Sequence, residues 1–150
     1  MSAAMSVFSL GFTKKTAEQF FALLRDNQVK TVLDVRLNNV SQLAGFTKRD
    51  DLPFFLRELC DADYVHVPAW APTTALLKPY KQGDISWQAY EDGFLNLMSQ
   101  RHIEKNLPPA LLQNACLLCS EHLPHQCHRR LVIEYLNQHS QLGLTVKHLV

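Results

Sequence analysis

A chain of 150 residues, 47% hydrophobic and 19% charged, has the make-up of a single globular domain that buries about 68–70% of its unfolded surface. The formal net charge of +1 argues against a protein built for nucleic acid, although Lys14-Lys15 and Lys48-Arg49 stand as local basic pairs. No apolar run of about 18 residues is present, the N-terminus lacks a basic region followed by an apolar core, and four cysteines are too few for a disulfide scaffold. A cytosolic chain with reduced thiols is therefore expected, with no membrane partner.

Ser6 to Gly11 alternates small and apolar residues and ends on glycine, which suits a first strand and turn. Thr16 opens a Thr-x-x-Gln capping pattern, and Ala17, Phe20, Phe21 and Leu24 follow at helical spacing. Val29 to Arg36 is almost wholly apolar and β-branched, the mark of a strand covered on both faces. Asp34 and Arg36 come where that run gives out.

Leu37 to Arg49 has little periodicity and reads as a loop. Asp51 is placed to cap a helix through Phe55, Leu56 and Leu59, with Pro53 in its first turn. Tyr64-Val-His-Val67 is a short strand ended by Pro68. Nearly fifty residues then pass before the next strand. They hold a short helix at Ala75 to Leu77, a turn at Lys81 to Asp84, and a longer helix from Ser86. That helix aligns Trp87, Tyr90, Phe94, Leu97 and Met98, a stripe read as core.

Ala115 to Cys119 is a fourth strand. A helix begins near His128 with Leu131, Val132, Tyr135 and Leu136 on one side, and Leu144 to Val150 is an edge strand. Strands separated by helices predict one three-layer α/β domain over residues 1–150, with a mostly parallel sheet of five strands and helices on both faces.

In open α/β sheets, ligands bind outside the carboxyl ends of the strands. The expected exits gather Gly11, Phe12 and Thr13, then Asp34 and Arg36, then His66, then Cys119, Ser120 and Glu121. Residues 119–130 add three histidines, Cys127, Arg129 and Arg130. A helix starting at His128 points unpaired N–H groups and its positive dipole end at this place, which favours anions and lowers the pKa of a cysteine there. Arg36, His128 and Arg129 are the candidate ligand-binding residues. Asp34 and Glu121 are candidate acid/base groups, and Cys119 and Cys127 candidate nucleophiles, set against the inert buried cysteine that is the usual case.

Cys119, Cys127 and a loop histidine are also soft metal ligands, with Asp34 or His66 as a fourth, but the Cys-x7-Cys spacing is not that of a structural zinc site. No metal is assigned, and the cofactor is left open. The residue six after Cys119 is His125, and six after Cys127 is Ile133, so the cysteine–arginine cradle of phosphatases is missing. Five glycines without a G-x-G or G-K-[ST] pattern exclude a P-loop.

Ser-Leu-Gly-Phe12, Leu-Asp-Val-Arg36, Tyr64-Val-His-Val-Pro68 and Leu-Leu-Cys-Ser-Glu…Cys-His-Arg-Arg130 together resemble domain-of-unknown-function family 488. So do Ala71-Pro-Thr-Thr and Tyr80 to Tyr90. The resemblance runs from about Ser6 to the C-terminus. It implies a small bacterial-type cytosolic α/β protein and marks Asp34, Arg36, Cys119, Glu121, Cys127, His128 and Arg129 as motif positions. Where the family carries a Leu-Gly-Gly-like turn, this chain has Ala69-Trp-Ala-Pro72. The resemblance carries no catalytic role.

The expectation is a cleft for an anionic small molecule, a nucleotide or phosphorylated metabolite, accompanied by cysteine or acid/base chemistry. A nucleic-acid binding or processing module with Lys14, Lys15, Lys48 and Arg49 on the rim is the first alternative. A metal- or redox-sensing protein is the second.

Overall fold

A computed structural model describes residues 5–37, 48, 50–105, 108–119, 127–140 and 142–150. Among these residues the strands are β1 (Met5–Gly11), β2 (Thr31–Asp34), β3 (Asp63–His66), β4 (Ala115–Cys119) and β5 (Leu144–Leu149). The α-helices are α1 (Ala17–Asp26), α2 (Leu52–Cys60), α3 (Thr74–Lys81), α4 (Trp87–Arg101) and α5 (His128–His139).

The strands form one sheet in the order β3-β2-β4-β1-β5, and every adjacent pair is parallel. Parallel neighbours need crossover connections, so both faces become covered. Phe20, Phe21 and Leu24 of α1 and Leu52 and Leu56 of α2 pack with Phe8, Leu10, Val32, Cys116 and Leu118 on one face. Tyr90, Phe94 and Met98 of α4 and Leu131, Val132 and Leu136 of α5 pack with Val7, Leu33, Leu117 and Cys119 on the other. α3 lies against α4. The result is a three-layer α/β sandwich. β2 and β4 are buried along their whole length, which is why their sequences are near-continuous apolar runs.

Local signals account for most boundaries. The Thr16 hydroxyl accepts from the Gln19 N–H while the Gln19 side chain accepts from the Thr16 N–H, the reciprocal cap expected of Thr-x-x-Gln. Ser86 caps α4 by accepting from Ala89 N–H, and the helix ends at His102 in the left-handed region with φ 52°. Asp51 precedes α2 as expected but is itself helical, so its side chain caps nothing. Pro53 does lie in the first turn of that helix. β2 pairs only through Asp34, because the chain turns where the charged residues begin. α3 continues to Lys81, so the turn starts one residue later than the sequence indicates.

Alternation along each strand fixes which face a side chain takes. Gly11 lies opposite Cys119, whereas Asp34 lies opposite Leu118 and His66. Cys119 therefore projects toward α4 and α5. Asp34 projects with Leu118 toward α1 and α2. The two motif residues sit at one edge of the sheet on opposite faces.

Candidate functional site

β2 and β4 are neighbours whose connections leave to opposite faces and in opposite directions, β2 through α2 to β3 and β4 through α5 to β5. Chains that part in this way open a crevice at the carboxyl ends of the strands. The exits remain laced together: Val35 N–H donates to Leu118 O at 3.1 Å, Val67 N–H to Asp34 O at 2.9 Å and Phe12 N–H to Cys119 O at 3.3 Å. Gly11, Asp34, His66 and Cys119 thus meet at one edge, as the strand reading expects. Two polar clusters flank it.

The first cluster lies on the α1/α2 face. Asp34, wholly buried, accepts from the Arg36 main-chain N–H at 3.1 Å, from Arg36 Nε and Nη2 at 2.8 Å each, and from the Tyr64 hydroxyl at 2.6 Å. This is a two-pronged guanidinium–carboxylate pair, the geometry that makes a buried ion pair tolerable. The Arg36 guanidinium also lies over the Phe12 ring, 5.6 Å from its centroid. His66 is half-buried, with Nε2 at 3.4 Å from Arg36 O. Tyr64, absent from the sequence candidates, is the residue that completes the carboxylate's shell.

The second cluster lies on the α4/α5 face. Arg129 is 0% exposed; its Nε donates to Ser9 Oγ at 3.0 Å and its Nη1 to Cys119 Sγ at 3.1 Å. Cys127, also buried, belongs to the same cluster. The Ser9 hydroxyl is bonded to His148 Nδ1, its neighbour across the β1–β5 ladder. Burial, then the Arg129 and Arg130 charges, hold His148 below its ordinary pKa of 6.5. The neutral ring offers Nδ1 as acceptor, so Ser9 donates to it while receiving from Arg129.

The helix terminus does not activate Cys127. Burial pushes that thiol well above its ordinary pKa, with Cys119 adding to the rise and the Arg129 guanidinium and main-chain N–H opposing it. Desolvation outweighs the helix dipole. Cys116, on the other face of β4, is also raised, with burial the leading cause.

His128 bridges the two sides. Its Nε2 lies 2.6 Å from Val35 O and, facing a carbonyl, must carry the proton. The ring packs on Phe94 at 5.5 Å, the inner end of a ring series running through Tyr90, Trp87 and Tyr80. The aromatic stripe of α4 is core, and it also fixes the start of α5. Arg130 turns away from the crevice to Glu91 at 3.4 Å and Glu134 at 3.2 Å.

Lys15 closes the third side. Its ammonium donates to Gly11 O at 2.8 Å, and burial, then the nearby Arg129 charge, lower its pKa. Lys14, at φ 64°, and Lys15 line a pocket of about 350 Å³ on the flank of α1 with Gln19, Leu23 and Asp26.

Glu121, Ser120, His122, His125 and Arg49 lie outside the described residues, as do most of residues 37–49. Among the described residues no three His, Cys, Asp or Glu groups come together as metal ligands, and Asp34 is taken by Arg36 and Tyr64. No helix among them is long and apolar enough to cross a membrane. At Ala69-Trp-Ala-Pro72 the carbonyls of Ala69 and Ala71 both accept from Arg101 Nη1, at 2.8 and 2.7 Å, and Trp70 is buried in the core.

No curated protein and no solved structure matches the chain. The family model described as Domain of unknown function DUF488 matches residues 16–136, from the α1 cap into α5, and the chain belongs to that family.

Proposed function

We propose that the protein binds a small anionic molecule, a nucleotide or phosphorylated metabolite, at the crevice between the exits of β2 and β4. The observation that supports this reading is a concentration of buried positive charge. Arg36 and Arg129 are 4% and 0% exposed, and Lys15 is half-buried beside Arg129. Within these clusters, among the described residues, Asp34 supplies the one carboxylate. Fixed cations in a poorly solvated setting project their potential into the adjoining crevice, and the first turn of α5 adds its dipole in the same direction.

Roles divide by what each group already holds. Arg36 is committed to Asp34 and Arg129 to Ser9 and Cys119, so both act as fixed charge beneath the ligand. Lys15, whose ammonium is held on Gly11 O, adds a third cation on the rim, and a bound anion would offset the burial that lowers its pKa. Asp34 orients Arg36. Cys119 is the candidate nucleophile.

Thermal melting with orthophosphate, sulfate and a nucleoside monophosphate tests the reading. At least one should raise the melting temperature in a saturable, salt-weakened manner, and Lys15→Met should remove the rise. A folded wild-type protein whose melting none of the three shifts would overturn it.

A further inference from the structure

β5 closes one edge of the sheet beside β1, and between the end of that strand and the outer flank of α1 lies the pocket of about 350 Å³. Phe20, Phe21 and Leu24 of α1 are buried against the sheet, whereas Gln19, Ala22, Leu23 and Asp26 follow one another at i, i+3, i+4 and i+7 along a neighbouring stripe. That stripe is one wall, and Lys14, Lys15 and Val150 complete the pocket. Its volume is at the lower end of the range that holds small molecules.

The lining is sorted by charge along the helix axis. Lys14 and Lys15 stand before the first turn of α1 and Asp26 ends the last, with about 10 Å of helix between Gln19 and Asp26. The Thr16 N–H donates to Gln19 Oε1 at 3.0 Å, which fixes the carboxamide and leaves its NH2 group as a donor at the lysine end. Lys15 already donates to Gly11 O at 2.8 Å, so Lys14 and the Gln19 NH2 are the groups able to close on an anion there. At the far end Asp26 has a loose contact, 3.8 Å, with the exposed Arg25. Lys147 of β5 is turned to Asn27 Oδ1 at 3.1 Å, which ties the strand to the end of α1. Between the two ends, half-buried Ala22 and Leu23 and exposed Val150 offer apolar surface.

We infer that this pocket is a second ligand site, for a linear zwitterion whose anionic end meets Lys14 and Gln19 and whose ammonium meets Asp26. Its methylene chain lies along Ala22, Leu23 and Val150 and takes their apolar surface from water. The site is independent of the crevice: Lys15 is the residue common to both, and its charge is kept in every variant tested.

The test is a titration of the isotope-labelled full-length chain with 8-aminooctanoate, octanoate and octylamine, followed by amide NMR shifts. The 8-aminooctanoate should bind saturably and shift the amides of residues 14–26 and of Val150. Octanoate and octylamine, each lacking one charged end, should bind about two- to fivefold more weakly. Lys14→Met should weaken 8-aminooctanoate and octanoate alike. Asp26→Asn should weaken 8-aminooctanoate and leave octanoate unchanged. Both positions are exposed, so neither substitution threatens the fold. Folded wild-type protein that shows no saturable shift, or shifts confined to other residues, overturns the site. Octanoate binding as tightly as 8-aminooctanoate, or indifference of 8-aminooctanoate to either substitution, overturns the assignment to a zwitterion.

Discussion

His128 donates from Nε2 to the carbonyl oxygen of Val35 at 2.6 Å, tying the first turn of α5 to the exit of β2 across 93 positions of sequence. The bond spans the crevice, and the Phe94 ring behind it holds the imidazole in place. His128→Ala removes the donor and leaves a carbonyl within a buried segment without it. The expected cost is about 1–3 kcal/mol, read as a lower urea midpoint with an unchanged slope. A variant as stable as the wild type would show that the tether is dispensable and that His128 faces a ligand instead.

Asp34 and Arg36 form a buried pair, and Tyr64 takes part of the same carboxylate. Asp34→Asn keeps the shape and leaves a guanidinium in the interior without its counter-charge, so it should cost about 3–5 kcal/mol. Tyr64→Phe removes one hydrogen bond to a charged acceptor and should cost about 1.5–3 kcal/mol. The double variant Asp34→Asn/Arg36→Met should be less damaging than the sum of its parts, because each single change strands the other partner. Additive losses in chemical denaturation would contradict the pairing.

The sequence carried the architecture further than it carried the site. Thr16 with Gln19, the apolar runs at β2 and β4, and the start of α5 at His128 all follow from local rules that the structure keeps. Asp34 and Cys119 could be placed at the same sheet edge because each ends a strand. Which face each takes depends on register: Asp34 pairs with Leu118, not with Cys119, and a one-residue offset reverses the side. Register is a tertiary property, so what reads as one wall facing another is two clusters on opposite faces. Ser9, Tyr64 and His148 escaped notice for the same reason. The available signal was a serine and a histidine interrupting apolar strands, but only the β1–β5 pairing makes them neighbours.

His148 gives the fold a pH dependence with a definite sign. Its folded pKa lies below 6.5, so the unfolded chain takes up the proton more readily. The stability it contributes is fully present above about pH 6.5 and is lost as pH falls below that value toward the folded pKa. Protonation would also end acceptance at Nδ1 from Ser9 and place a cation near Arg129. The melting temperature should therefore decline between about pH 7 and pH 5.5, ahead of the carboxylate range. His148→Gln, which keeps an acceptor but does not titrate there, should flatten that decline. An unchanged slope in the variant would assign the effect elsewhere.

Arg129 separates the value of charge from the value of geometry. Its guanidinium reaches Ser9 through Nε and Cys119 through Nη1, two directions that one planar fork serves together. Arg129→Lys preserves the charge but replaces the fork with a single, more strongly hydrated ammonium on a shorter reach. That variant keeps the full desolvation cost while losing at least one contact, so a loss of about 2–4 kcal/mol is expected. Arg129→Met gives up the contacts and the desolvation cost together, and fills a comparable volume in a pocket already lined by apolar side chains and sulfur. It should be the milder of the two in urea unfolding at neutral pH. If Lys proves equal to Arg, the planar fork has no role in holding α5 to β1 and β4, and only positive charge is required there.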